Sequence, residues 1–222
     1  MTVKDIYFDR GLLPRLENAL AVAPAIFVNG PRQAGKSTLV NHLTKHPFNA
    51  TYVSFDNITN AAAAQSDPLA FLQRFKGAVI IDEVQIVPEI FRSIKLVIDE
   101  LRKTGRSNAN GRFILTGSSN IMALPQLADA LVGRVRILNL LPLSVGEYHG
   151  NPIILDRLFN DPDFLLSDKE YPEFSLRDNI YRGTFPEVAV LEPKDRYGWY
   201  NDYITTVLQR DVRQIAEVDK IA

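Results

Sequence analysis

Two glycines with four residues between them, then a lysine and a hydroxyl, lie between two apolar runs in "FVNGPRQAGKSTLV" (27–40). A triphosphate is recognised by N–H donors brought close to its oxygens. Gly30 and Gly35 permit the turns and the close backbone approach that side chains would block. A helix starting after Gly35 points its positive N-terminal end at the phosphates. Lys36 can reach the β- and γ-phosphates, and the Ser37 hydroxyl can bind Mg²⁺. Gly30, Pro31, Arg32, Gln33, Ala34, Gly35, Lys36, Ser37 and Thr38 are therefore the candidate nucleotide contacts, with ATP and Mg²⁺ as the implied cofactors.

A second polar cluster suits the same ligand. "AVIIDEVQ" (78–85) puts Asp82 and Glu83 at the end of an apolar strand, and the carboxyl ends of such strands face the ligand crevice in open parallel sheets. Asp82 is the candidate metal partner with Ser37. Glu83 is the candidate general base for an attacking water. A Glu directly after the Asp favours water activation over transfer to a metabolite hydroxyl, which argues against a small-molecule kinase. The run "RFILTGSSN" (112–120) ends in further hydroxyls, and Ser118 is the candidate for aligning water or touching the γ-phosphate. Arginine can neutralise transition-state charge. Arg134, in "ALVGRVRIL", is the catalytic candidate, at the phosphate of its own subunit or of a neighbour's, with Arg210, Arg182 and Arg136 behind it.

These side chains need a scaffold. "GLLPRLENALAV" (11–22) carries leucines at helical spacing. "AIFVN", "TYVSF", "AVIID", "RFILTG" and "VRILNL" read as strands, and "PEIFRSIKLVIDELRK" as an amphipathic helix. A helix is expected from Lys36 to about Lys45. Another covers 67–75, capped by Asp67 with Pro68 at its first position. "NAAAAQ" reads as a helical turn and "PQLADAL" as a short helix. Strands alternating with helices predict an α/β fold with a parallel sheet covered on both faces. The predicted division is a core over 1–141 and a mostly helical lid or extension over 142–222, which includes an irregular acidic stretch at 160–175.

Composition narrows the class. The chain has 222 residues, 46% of them hydrophobic, with a formal net charge of −1 and no cysteine. That excludes disulfides, thiolate zinc sites and iron–sulfur clusters. No global basic field marks a nucleic-acid or membrane binder. The N-terminus lacks a signal peptide's apolar core, and no apolar run reaches membrane-spanning length, so a cytoplasmic setting is the expectation. His42 and His46, four apart, read as surface histidines for want of a third ligand. Trp199 and Tyr203 read as packing residues. The basic stretch "LRKTGRSNANGR" (101–112) reads as a solvated helix end before it reads as a nucleic-acid contact.

Taken together, "GPRQAGKSTL", "VIIDEVQ", "FILTGSSN", "LVGRVRILNLLPLSVGEY", "RGTFPE" and "YNDYITTVLQRDV" resemble a family of bacterial and archaeal AAA-type P-loop ATPases. Its members have a GPRQ-x-GKST Walker A loop and an uncharacterised C-terminal domain. The resemblance implies a five-stranded sheet of order 5-1-4-3-2, a Walker B pair at Asp82 and Glu83, and a helical lid leading into a further region that this chain would stop short of. Thr184 stands where the family pattern has a second glycine. The resulting expectation is an Mg²⁺-dependent ATP phosphohydrolase whose cycle moves attached domains. The alternative is a slow nucleotide-gated switch acting on DNA or a protein partner, self-association included.

Overall fold

The computed structural model describes residues 6–45, 48–117, 131–150 and 176–218, with the backbone alone at 106, 108, 176 and 208–218. Ser118, His46, most of "PQLADAL" and the acidic stretch at 160–175 lie outside the described residues.

Helix α1 (Leu13–Val22) leads into β1 (Ala25–Asn29), the loop, and α2 (Lys36–Asn41). Then come β2 (Thr51–Ser54), α3 (Ile58–Ser66), α4 (Pro68–Gln73), β3 (Val79–Asp82), α5 (Ile90–Lys103), β4 (Phe113–Gly117) and β5 (Val135–Asn139). The five strands form one parallel sheet of order β2-β3-β4-β1-β5, as the resemblance implies. The central strands β1, β3 and β4 are buried on both faces, and alternate residues feed two cores. Ala25, Phe27, Ile81 and Leu115 join the cluster built with α3, α4 and α5. Ile26, Val28, Ile80 and Ile114 join the cluster built with α1 and α2.

Local chemistry sets the element ends. Asn57 caps α3, its Oδ1 accepting from the N–H groups of Thr59 at 2.9 Å and Asn60 at 3.3 Å. The turn expected at "NAAAAQ" is thus part of a full helix. Asp67 caps α4 through Ala70 N at 2.9 Å, with Pro68 at the first position, as expected. The α-helix after the loop is shorter than expected: it gives way to a 3₁₀ turn over His42–Thr44, so the helix expected to reach Lys45 stops at Asn41.

After β5 the described residues are helical. Ser144 and Glu147 close a capping box at the start of α6 (Val145–Tyr148). Helices α7 (Leu176–Arg182), α8 (Pro186–Ala189) and the 26-residue α9 (Pro193–Val218) follow. Gly183, between α7 and α8, has φ 75°, and a Cβ there would sit 1.6 Å from the Tyr200 hydroxyl. Only glycine allows α9 to press so close to this turn. No described helix is long and apolar enough to cross a membrane.

Candidate nucleotide site

The chain turns sharply after β1. Gly30 lies against β5's outgoing strand end, where a Cβ would meet the Leu140 carbonyl oxygen at 2.1 Å. Gly35 is left-handed, with φ 91° and ψ 24°, and is the N-cap of α2. Gln33 also has positive φ, 59°, a conformation costly for a side chain in this region. The loop between them folds over its own lysine. Lys36 is buried, and its Nζ donates to the carbonyls of Gly30 at 3.0 Å and Pro31 at 2.9 Å. Burial pushes the Lys36 ammonium below the usual lysine range, with Glu83 and Asp82 pulling it back up.

The loop is braced from beneath by a residue that sequence reasoning missed. Arg10 is buried and donates to the carbonyls of Ala34 at 2.7 Å and Leu141 at 2.5 Å. Its Nε pairs with Glu147 at 3.2 Å. Glu147 also accepts from the N–H groups of Gly11 and Ser144, both at 2.8 Å. One guanidinium therefore ties the N-terminal segment, the glycine loop and α6 together. No spacing rule connects residue 10 with residue 147, so no local signal could have found it.

Asp82 ends β3 facing the α2 side of the sheet. Its Oδ1 accepts from the Thr116 hydroxyl and its Oδ2 from the Tyr52 phenol at 2.5 Å. Thr116, fully buried on β4, also accepts from the Glu83 N–H at 3.3 Å. Glu83 itself is left-handed, φ 54° and ψ 46°, which breaks the strand after Asp82. This turn separates the two carboxylates: Asp82 stays buried behind, while Glu83 lines the cleft with Gln85 donating to its Oε2. Burial and the bond to Asp82 raise the Tyr52 phenol far above its ordinary range.

A cleft of about 610 Å³ joins these parts. Arg32, Gln33, Lys36, Ser37 and Glu83 line one side, and Glu187, Trp199, Asp202 and Tyr203 the other. The aromatic wall is a packed group, in keeping with the packing role expected of Trp199 and Tyr203. Their rings stack at 5.1 Å and 7°, with Phe185 4.8 Å from Tyr203. Tyr203 also reaches the loop, donating to the Arg32 carbonyl at 3.4 Å.

The arginine candidates fall elsewhere. Arg134 lies at the N-terminal end of β5, its carbonyl accepting from Ala25 N at the start of β1. Because β1 and β5 are parallel and in register, that is the end of the sheet opposite the glycine loop. The expectation that Arg134 sits at its own chain's phosphate is therefore corrected: its guanidinium forms a two-pronged pair with Asp99 of α5, at 2.8 and 3.0 Å. A strand's direction decides this, and sequence proximity to the sheet does not. Arg182 stacks on Tyr148, 4.0 Å from the ring centroid, and lies outside the cleft lining. The Arg210 side chain lies outside the described residues.

A five-stranded parallel sheet of this order, with a glycine loop and helix after β1 and an acidic pair after β3, defines a P-loop ATPase domain of the AAA type. The chain belongs to the AAA domain family, which matches residues 22–149, and a domain of unknown function matches residues 173–222. Uncharacterized proteins of Mycobacterium bovis and Mycobacterium tuberculosis are each 29% identical over 206 residues. That match covers 93% of this chain but 40% of those relatives, so the chain spans well under half their length. Among solved structures, a Walker-type ATPase of Pyrococcus abyssi, PABY2304, superposes with a TM-score of 0.55. It is 16% identical, over 96% of this chain and 77% of that one, a likeness in fold.

Proposed function

We propose that the chain binds ATP with Mg²⁺, hydrolyses it, and uses the cycle to move its C-terminal helices and the domains attached to them. The observation that carries this reading is Lys36. Among the described residues this buried ammonium bonds directly only to neutral carbonyls, and burial still outweighs the pull of Glu83 and Asp82, so it is a cation suited to receive an anion. The glycine cradle around it, closed to any Cβ at Gly30, fits a polyphosphate. The backbone of Gly30 to Thr38 would grip the phosphates, and Lys36 would exchange its carbonyls for β- and γ-oxygens.

The cation site fits as well. Ser37 offers a hydroxyl in the cleft, and Asp82 offers a buried carboxylate held by hydroxyl donors. Bound there, Mg²⁺ would supply positive charge to the phosphate oxygens. Glu83 accepts a proton from the attacking water as its oxygen bonds to the γ-phosphorus. The bond to the β–γ bridging oxygen breaks, leaving ADP and inorganic phosphate. Ser118 is retained as a water-aligning candidate.

Coupling to the C-terminal part rests on the cleft's second wall. Tyr203 of α9 is bonded to the Arg32 carbonyl, and Glu187 and Asp202 bring carboxylates to a site that must receive a polyanion. Like charges across the cleft repel. Nucleotide entry therefore shifts α9. Trp199 is the only tryptophan of the chain and reports this directly. The same contact favours the switch reading, in which the loaded state holds a protein, another copy of the chain or DNA.

The test is phosphate release from ATP, in Mg²⁺ and in EDTA, with and without DNA, beside Glu83→Gln. Loss of the general base lowers turnover by about 10²–10⁴-fold and leaves nucleotide affinity intact. Unchanged turnover in that variant removes Glu83 from the chemistry. ATP-dependent Trp199 emission without turnover in the wild type favours the switch.

A further inference from the structure

Arg10 is buried and is fixed from two sides that do not belong to the glycine loop. Its Nη2 donates to the Leu141 carbonyl at 2.5 Å, just beyond β5, and its Nε pairs with Glu147 of α6 at 3.2 Å. Glu147 is held in turn by the N–H groups of Gly11 and Ser144. A guanidinium is planar, so these anchors also fix where its remaining nitrogen points. That nitrogen, Nη1, donates to the Ala34 carbonyl at 2.7 Å. A Cβ on Gly35 would lie 3.3 Å from the same Nη1, so the guanidinium packs against the Ala34–Gly35 peptide.

A trans peptide is planar, and its C=O and N–H groups point in opposite directions. Holding the Ala34 carbonyl toward Arg10 therefore aims the Gly35 N–H away from the guanidinium. Gly35 lines the nucleotide cleft. Among the described residues the Gly35 N–H donates to no backbone acceptor. Gly35 has φ 91°, and glycine places little restraint on the angle that turns this peptide. The restraint comes from outside the loop, through Arg10.

We propose that Arg10 is a positioning residue of the phosphate site, which sets the Ala34–Gly35 peptide so that the Gly35 N–H is presented to phosphate. The inference rests on the polyphosphate reading above. It goes beyond bracing. A brace of any chemistry keeps the loop in place, whereas a donor on the Ala34 carbonyl selects which way this peptide faces.

The experiment measures binding of inorganic pyrophosphate, in EDTA, to the whole chain isotope-labelled at glycine. Calorimetry gives the affinity, and the amide spectrum follows Gly35. In the wild type the Gly35 amide proton moves downfield on binding, because a hydrogen bond to an anion deshields it. Arg10→Met with Glu147→Met removes both charges together and strands no carboxylate, so the chain stays folded. This double variant is expected to bind pyrophosphate roughly 10–100-fold more weakly, the scale of one hydrogen bond to a charged group, and to lose the Gly35 shift. Glu147→Gln keeps the Arg10–Ala34 bond and retains both the affinity and the shift. Arg10→Lys keeps a charge beside Glu147 without the fork that reaches Ala34, and loses the shift whether or not the double variant folds. A wild type that binds pyrophosphate with an unmoved Gly35 proton, a folded Arg10 variant that keeps the affinity and the shift, or an equal loss in Glu147→Gln each overturn the proposal. A wild type that binds neither pyrophosphate nor ADP would instead sink the reading on which it rests.

Discussion

The two ends of the sheet treat charge in opposite ways. At the end where the strands start, Arg134 and Asp99 neutralise each other directly, at 2.8 and 3.0 Å, with side chains 22% and 38% exposed. At the end where the strands finish, Lys36 and Asp82 are both buried, and each is satisfied by neutral groups: carbonyls for the lysine, hydroxyls for the aspartate. A pair that has found its counter-charge has nothing left to bind. Opposite charges held apart by neutral partners retain their electrostatic demand, and the magnesium–phosphate complex proposed above would answer both. Beneath the loop, Arg10 and Glu147 form a third arrangement, a buried pair in direct contact, whose task is to hold the loop still.

The comparison can be broken by substitution, beginning where the largest effect is expected. Arg10→Met strands the buried Glu147 carboxylate, and breaking such a pair costs about 3–5 kcal/mol. For a chain of this size that corresponds to a fall in Tm of roughly 10 °C in a thermal melt. Adding Glu147→Met recovers much of the loss. If Arg10→Met melts with the wild type, the brace is not structural.

Lys36→Met separates binding from folding. Nucleotide should bind about 10–150-fold more weakly by calorimetry, for loss of a charge-assisted contact of about 1.5–3 kcal/mol. The fold should melt no lower than the wild type, since the buried ammonium is bonded directly to carbonyls, and the nearby carboxylates of Glu83 and Asp82 only partly offset the cost of its burial. The sign follows from Lys36's lowered pKa. Between that value and the free-lysine value of 10.5, the unfolded chain binds more protons, so wild-type stability rises with pH there. Lys36→Met should flatten that rise. A variant that is both weaker in binding and less stable would mean the lysine is a structural strut.

The smallest effect belongs to Arg134→Ala. The pair is half exposed, so its loss should cost about 0.2–1 kcal/mol and leave nucleotide affinity untouched. Arg134 holds the Asp99 carboxyl below its usual range. That contribution is present above the unfolded-state pKa and disappears as pH falls through the folded one. Melting curves of wild type and Arg134→Ala should therefore converge in acid. A large loss of ATP binding in this variant would overturn the division between the two ends.

The legible parts of this protein are the local ones. A glycine spacing, an apolar strand ending in Asp–Glu, and the caps at Asp67 and Pro68 each act over a few residues, so their chemistry is written contiguously. Arg134 lies away from its own chain's phosphate loop, which was not legible because its neighbours in sequence say that it adjoins a strand but not which end of the strand it occupies. Thr116 was seen only as part of a polar strand end, and its bond to Asp82 needs β3 and β4 side by side.

Sequence alone determined that a phosphate loop and an acidic pair would sit on an alternating α/β scaffold, because backbone freedom, helix polarity and side-chain chemistry are properties of short segments. Tertiary structure decided the rest: that Tyr52 of β2 donates to Asp82 of β3, that Arg10 clamps the loop to Glu147, and that Trp199 and Tyr203 close the cleft from α9. Those contacts join residues from different elements. Their partners are chosen by strand order and by which face of a buried sheet each helix covers, and neither is encoded at any single position.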